Sequence, residues 1–307
     1  MKLRVGTRRS PLARTQTDHV CGLLRRAIPG LECEILPIET TGDAVRDRPL
    51  REVGGKGLFV KELDEALTDG SIDCAVHSLK DVPSIVPDGV ILACVPERVA
   101  PHDVLISRLS APLGSFEAGT RVGTTSLRRA GQLLAQNPGI EVGMLRGNIE
   151  TRLARVREGR FDATLLAAAG LGRLSIHVDD LTMIALDPWA FVPAPAQGAL
   201  AITCRQDDRT VRAACATINN ECAECETTAE RAVARALGGS CDLPLGALAR
   251  MDGEALRLVA VVAAADGQKV LRHEREGTPD RAEELGGLVA ELLAADGAHA
   301  LLASKPV

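Results

Sequence analysis

Aromatic side chains are scarce in this chain. Among 307 residues there are one Trp, four Phe and no Tyr, 2% in all. Single-stranded nucleic-acid binders stack bases on aromatic platforms, and membrane proteins set Trp and Tyr at the bilayer interfaces, so both classes are disfavoured. No apolar run approaches the roughly 20 residues that cross a bilayer. The start, Met1-Lys2-Leu3-Arg4-Val5-Gly6, lacks the apolar h-region of a signal peptide, which predicts a cytoplasmic protein. A net charge of −5 gives the surface as a whole no attraction for nucleic acid or anionic lipid. Lysine is scarce too, 6 against 30 Arg. That skew fits a genomic preference, or guanidinium forks that bind carboxylates.

Cysteine, by contrast, is plentiful, with nine residues. In a reducing compartment most pack as small hydrophobes. Cys222-x-x-Cys225, with Cys215 upstream, has part of a metal-ligand spacing, but no second pair completes a set of four. No metal is expected.

A hydrophobic fraction of 46% and a charged fraction of 25% describe a globular chain. Length allows one to three domains. An imperfect repeat organises the first two thirds. Arg4-Val5-Gly6-Thr7 returns as Arg121-Val122-Gly123-Thr124, Pro29-Gly30-Leu31-Glu32 as Pro138-Gly139-Ile140-Glu141, and Gly70-x-Ile72-Asp73 as Gly159-x-Phe161-Asp162. Three pairs in one order predict two similarly built units. Each alternates strands (3–6, 32–38 and 72–77; 121–123, 140–145 and 163–167) with helices (11–27 and 61–68; 127–136 and 149–158). This pattern predicts open parallel α/β sheets with ligands at the carboxyl ends of the strands.

The last third differs. A helix over 227–237, a hairpin over 256–275 turning at Asp266-Gly267, and a closing amphipathic helix over 279–295 predict a small α+β unit. Linkers are expected at 96–103 and in the Pro-rich stretch 187–195.

Both repeats follow a strand with Gly-Thr, hydroxyls and Arg at a helix start: Thr7-Arg8-Arg9-Ser10-Pro11 and Thr124-Thr125-Ser126-Leu127-Arg128-Arg129. Free backbone N–H groups and guanidinium groups favour an anion there, and two facing sites suit a multiply charged ligand. Ordinary N-capping is the bland alternative for either site alone. Arg146 and Arg152 flank a further strand-to-helix junction, which reads equally well as a solvated charged turn. Lys80 and Asp81 lie just beyond an apolar strand, where an ionised Asp can stabilise a developing cation or relay a proton. His77 reads as a packed strand residue. Gly54-Gly55-Lys56-Gly57 is not a P-loop and reads as a mobile loop over a cleft. Cys241 stands in a Gly-rich turn, where a thiol can serve as nucleophile or attachment point, although spacing alone favours an ordinary structural thiol.

Together these motifs resemble the porphobilinogen deaminase family. The resemblance rests on Gly6 to Ala13, Gly54 to Leu63, His77 to Pro83, Val122 to Arg129, Leu145 to Asn148, Ala169 to Leu174 and Gly239 to Pro244. It implies two periplasmic-binding-protein-like α/β domains plus a small C-terminal α+β domain. The implied spans are 1–98 with 197–216 for domain 1, 102–190 for domain 2 and 219–307 for domain 3. It implies a cytoplasmic, monomeric transferase of porphyrin and heme biosynthesis that joins four porphobilinogen molecules head to tail into hydroxymethylbilane with release of ammonia. The implied cofactor is a dipyrromethane, made from substrate and held by a thioether to Cys241.

By the same resemblance Asp81 is the catalytic carboxylate. Ser10, Lys80, Thr125, Ser126, Arg128, Arg129, Arg152 and Gly170 match cofactor-binding positions. Arg8, Lys56, Phe59, Arg146, Arg152, Arg173 and Gln197 match substrate-binding ones. Thr125 stands where Ser is common, and Glu52 where some relatives have Lys. A rival reading, a non-catalytic two-lobed binder of a small anion, is permitted by the repeat alone. The third unit and Cys241 count against it.

Overall fold

The computed structural model describes residues 1–44, 57–238 and 243–303. Lys56, Glu52, Cys241 and most of the Gly54–Gly57 loop lie outside the described residues.

The repeat is built twice as a five-stranded sheet. The first contains β1 (Lys2–Arg8), β2 (Glu32–Ile38), β3 (Cys74–Ser78) and β4 (Val90–Cys94), with β10 (Leu200–Arg205) returning from far along the chain. The second contains β5 (Asp103–Ser107), β6 (Arg121–Gly123), β7 (Glu141–Gly143), β8 (Ala163–Ala167) and β9 (Thr182–Ala185). Their orders, β2-β1-β3-β10-β4 and β7-β6-β8-β5-β9, superimpose position by position. The repeated Asp explains part of the likeness. Asp73 accepts from Arg4 N at 2.7 Å and Asp162 from Arg121 N at 2.9 Å, each pinning the start of the leading strand.

The alternation alone predicted parallel sheets, but neither sheet is wholly parallel. β10 runs antiparallel to β3 and β4, and β5 antiparallel to β8 and β9. Both strands enter directly from a segment that crosses between the sheets. An antiparallel partner needs no crossover helix, so a strand arriving this way can insert antiparallel.

Helices cover the sheets with their apolar faces. α1 (Pro11–Ala27) starts under a Ser10 cap with Pro11 in its first turn. It buries Val20, Cys21 and Leu24 against Leu3, Val5 and Ile202. Further helices of these units include α2 (Lys61–Thr68), α3 (Leu127–Gln136), α4 (Ile149–Arg157), α5 (Ala168–Arg173) and α6 (Arg209–Ala216). In the second unit Leu105, Val122, Leu133 and Leu165 form the core.

The third unit is a three-stranded antiparallel sheet, not a hairpin alone: β11 (Leu245–Asp252), β12 (Ala255–Ala263) and β13 (Val270–Gly277). α7 (Glu221–Ala236) and α8 (Ala282–Ala295) pack on it through Val233, Leu258, Val289 and Leu293. α7 begins six residues before the expected start, because Asn220 caps it by accepting from Ala223 N.

The two crossing segments, 95–102 and 192–199, lie side by side. Gly198 has φ +91°, and a Cβ there would sit 2.5 Å from the Val99 carbonyl oxygen, so only glycine fits. Helix α7 holds them. Arg98, whose side chain is 2% exposed, donates to both carboxylate oxygens of the fully buried Glu230, at 2.7 and 3.0 Å, and through Nε to the Gln197 carbonyl at 3.0 Å. Glu230 also accepts from Ala196 N and Ala249 N.

Candidate active site

The carboxyl ends of the parallel strands supply most of the site. β1 ends at Arg8, followed by Ser10. β3 leads into a tight turn, Leu79–Asp81, that carries Lys80 and Asp81. β6 leads to Thr124, Thr125 and Ser126 and the first turn of α3. β7 leads to Arg146, and β8 leads through α5 to Arg173. This is where open α/β sheets present functional groups.

Lys80 and Asp81 face neighbouring cavities. One is lined by Arg8, Ser10, Phe59, Ser78 and Asp81. There the Arg8 guanidinium lies 4.1 Å from the centre of the Phe59 ring and 3.7 Å from Asp81 Oδ2. The cation is thus held between a ring face and a carboxylate. The other is lined by Lys80, Ser126, Arg128, Pro195, Arg231 and Leu243, where all three units meet. Leu243 is two residues beyond Cys241 in sequence.

The helix starts are conventionally capped. Ser10 Oγ accepts from Ala13 N at 3.3 Å, and Ser126 Oγ from Arg129 N at 3.4 Å. The bland reading of these hydroxyls therefore holds for one of their lone pairs. Thr125 is exposed.

Arg128 and Arg129 are buried, which their sequence position did not signal. Both guanidinium groups clasp Asp103, at 2.8 and 2.7 Å, and donate to the carbonyls of Val192 and Leu165. Burial alone would raise the Asp103 carboxyl, but the two guanidinium groups outweigh it and hold the group well below the usual carboxylate range. Arg152 donates to the Gly147 carbonyl and Arg173 to the Gly198 carbonyl. Burial pushes each of these guanidinium groups down to about 10, with Arg129 and Arg146 adding to the effect at Arg152. Gln197, 1% exposed, accepts from Lys80 Nζ at 3.3 Å. Burial pushes the Lys80 ammonium down to about 8 against the pull of Asp81. Gly170 is buried in α5, with Ile149 Cδ1 3.1 Å from where a Cβ would lie.

His77 is buried and bonded to Thr203 Oγ1 at 2.9 Å. Burial lowers it to about 4, so it is neutral near pH 7 and packs as expected. Two residues were missed. Asp103 was read as the end of a linker, although a lone carboxylate heading the apolar run Val-Leu-Ile was a signal. Arg231 of α7 donates to the carbonyls of Val82 and Pro83, just past Asp81, at 2.9 and 2.8 Å. It carried no signal, because only tertiary packing brings α7 to that turn.

The site suits a polycarboxylate. Among the described residues, two buried donors lack partners, Arg129 Nε and Arg146 Nη1. They belong to a group of cations, Lys80, Arg128, Arg129, Arg146 and Arg152, that outnumbers the carboxylates Asp81 and Asp103. Buried donors and excess positive charge fit an anionic ligand.

Comparison with known proteins defines the class. Residues 3–213 match the model described as "Porphobilinogen deaminase, dipyromethane cofactor binding domain", and residues 224–295 match "Porphobilinogen deaminase, C-terminal domain". A relative named porphobilinogen deaminase from Xanthomonas oryzae pv. oryzae is 46% identical over 302 residues, 98% of this chain and 99% of that one. Another of that name from Bordetella parapertussis is 47% identical over 98% of this chain and 96% of its own. Among solved structures, the methionine binding protein MetQ aligns at a TM-score of 0.43 and 12% identity, over 71% of this chain and 89% of that one. The chain belongs to the porphobilinogen deaminase family. It is a transferase that polymerises porphobilinogen into hydroxymethylbilane with a dipyrromethane cofactor.

Among the described residues, no helix is long and apolar enough to cross a membrane.

Proposed function

We propose that Asp81 is the catalytic carboxylate of this reaction and that Cys241 anchors the cofactor. The observation that carries this is the position of Lys80 and Asp81. They form one turn at the carboxyl end of β3, with Arg8, Ser10 and Phe59 on one side and Ser126 and Arg128 on the other.

The dipyrromethane, when bound, supplies a tethered pyrrole as nucleophile. Lys80, Ser10, Thr125, Ser126, Arg128, Arg129, Arg152 and Gly170 would hold it. Arg8, Lys56, Phe59, Arg146, Arg152, Arg173 and Gln197 would receive porphobilinogen, whose acetate and propionate groups suit guanidinium forks. As the aminomethyl C–N bond of porphobilinogen breaks, the electron pair leaves with ammonia and positive charge develops on the pyrrole. Asp81 accepts a hydrogen bond from the pyrrole N–H and stabilises that charge, because a fixed carboxylate needs no reorganisation. Once a C–C bond to the next pyrrole has replaced the broken C–N bond, Asp81 takes part in passing the displaced ring α-proton to solvent. Arg8 fixes the carboxylate's direction from 3.7 Å. Arg231 fixes the turn that carries it.

We propose the spans 1–98 with 197–216, 102–190 and 219–307 as the three domains, and a monomeric, cytoplasmic enzyme. The two homologous sheets, the return of β10 into the first and the separate third core support that division. The resemblance to the family supports the rest. The test is Asp81→Asn. It is expected to keep the cofactor mass while ammonia release from porphobilinogen falls about 10²- to 10³-fold, the scale of one preorganised electrostatic contact. Unchanged release would remove Asp81 from the mechanism.

A further inference from the structure

Arg128 and Arg129 pose a problem of placement. Two adjacent guanidinium groups at the start of α3 are both buried, at 4% and 7% exposure. Like charges this close repel and swing apart unless a counter-charge lies between them. Asp103 is that counter-charge. It is fully buried and heads β5 at the point where the chain enters the second sheet. Its Oδ2 takes Arg128 Nη2 at 2.8 Å, and its Oδ1 takes Arg129 Nη2 at 2.7 Å. Backbone carbonyls of Val192 and Leu165 take the Nη1 groups. Each guanidinium is thus fastened along its Nη edge, and Arg129 Nε is left buried and unpartnered.

The network reaches across to the first sheet. Asp103 Oδ1 also accepts from Gln197 Nε2 at 2.9 Å, and the same amide donates to the Pro101 carbonyl at 2.6 Å. With its nitrogen committed to acceptors, Gln197 must turn its oxygen toward Lys80, which donates to it at 3.3 Å. One carboxylate therefore sets the direction of three cations, two from the second sheet and, through one amide, one from the first.

We propose that Asp103 is a positioning residue for cofactor capture: it holds Arg128, Arg129 and, through Gln197, Lys80 as one preset receptor for carboxylates that arrive from different parts of the ligand. Asp103 touches no reacting atom in this scheme and acts through the cations it fastens. The inference rests on the reading of these three as cofactor-binding residues.

The test loads apoprotein with porphobilinogen and reads the adduct by intact mass, beside melting temperature and circular dichroism. The variants are Asp103→Asn, which removes the charge, and Asp103→Glu, which keeps it one methylene out of place. A receptor preset by Asp103 predicts a folded Asp103→Glu protein that needs at least tenfold more porphobilinogen than wild type for half loading. Asp103→Asn, where folded, needs more still. A role confined to stability would lower the melting temperature and leave that half-loading concentration unmoved, which would overturn the proposal. Failure of both variants to fold would also overturn it, making Asp103 a folding residue only. Wild-type protein that gains no adduct defeats instead the reading on which the inference rests.

Discussion

Replacing Arg98 with Met removes the only cation among the described residues that faces Glu230 directly in the clamp between α7 and the crossing segments. The cluster is electrically closed: Arg98 and Arg250 face Glu226 and Glu230. Without Arg98 it carries one uncompensated negative charge on a carboxylate with no exposure. Breaking a buried pair from one side costs about 3–5 kcal/mol. A chain of this size lies at or below the lower end of about 2–4 °C of melting temperature per kcal/mol, so Arg98→Met is expected to melt several degrees lower, up to about 6–10 °C. The assay is thermal denaturation by circular dichroism, with wild type and variant equally loaded with cofactor. Arg98→Met/Glu230→Gln should recover part of the loss, because the stranded charge is gone while an amide oxygen still accepts from Ala196 N or Ala249 N. A fall below about 2 °C for Arg98→Met, or a double variant less stable than the single one, would refute the reasoning.

Three further outcomes follow from two titratable groups, the half-buried Lys80 and the buried His77. Lys80 has a folded value of about 8 against 10.5, so the unfolded chain holds more protons between those values, and stability rises with pH across that window. Lys80→Met should therefore be more thermostable than wild type at pH 7, by up to about 3 kcal/mol, with the gain gone by pH 10.5; an unchanged melting temperature at pH 7 would refute the burial argument. If Lys80 holds a cofactor carboxylate as proposed, the same titration removes that charge, so the porphobilinogen concentration that half-loads apoprotein should climb from pH 7 to 9 in wild type and stay flat in Lys80→Met. His77 is lowered to about 4 from 6.5, so it contributes stability above 6.5 that is lost as pH falls toward 4. His77→Gln should flatten that acid limb in a melting-temperature series; an identical limb would assign the acid loss elsewhere.

The repeated strands and helices were legible because they rest on local pattern. Ser10-Pro11 starts a helix by its own chemistry, and Asp73 and Asp162 mark equivalent corners by pinning Arg4 and Arg121. Strand direction was not legible. Whether β5 and β10 run with or against their neighbours depends on where the chain enters each sheet, which no local pattern records. β11 escaped because Leu245–Asp252 is rich in small residues and buried along most of its length, so it lacks both β-branched bulk and alternation. Within the site, Lys80 and Asp81 were readable from their place after an apolar strand. The burial of Arg128 and Arg129 was not, because their partner Asp103 lies 25 and 26 residues earlier and meets them only in the folded sheet.

The intact mass of the purified protein tests the central claim most directly. The account predicts wild-type chain plus two pyrrole units, the bare chain for Cys241→Ala, and the wild-type adduct for Asp81→Asn. A wild-type mass equal to the bare chain, in protein that releases no ammonia from porphobilinogen, would contradict it.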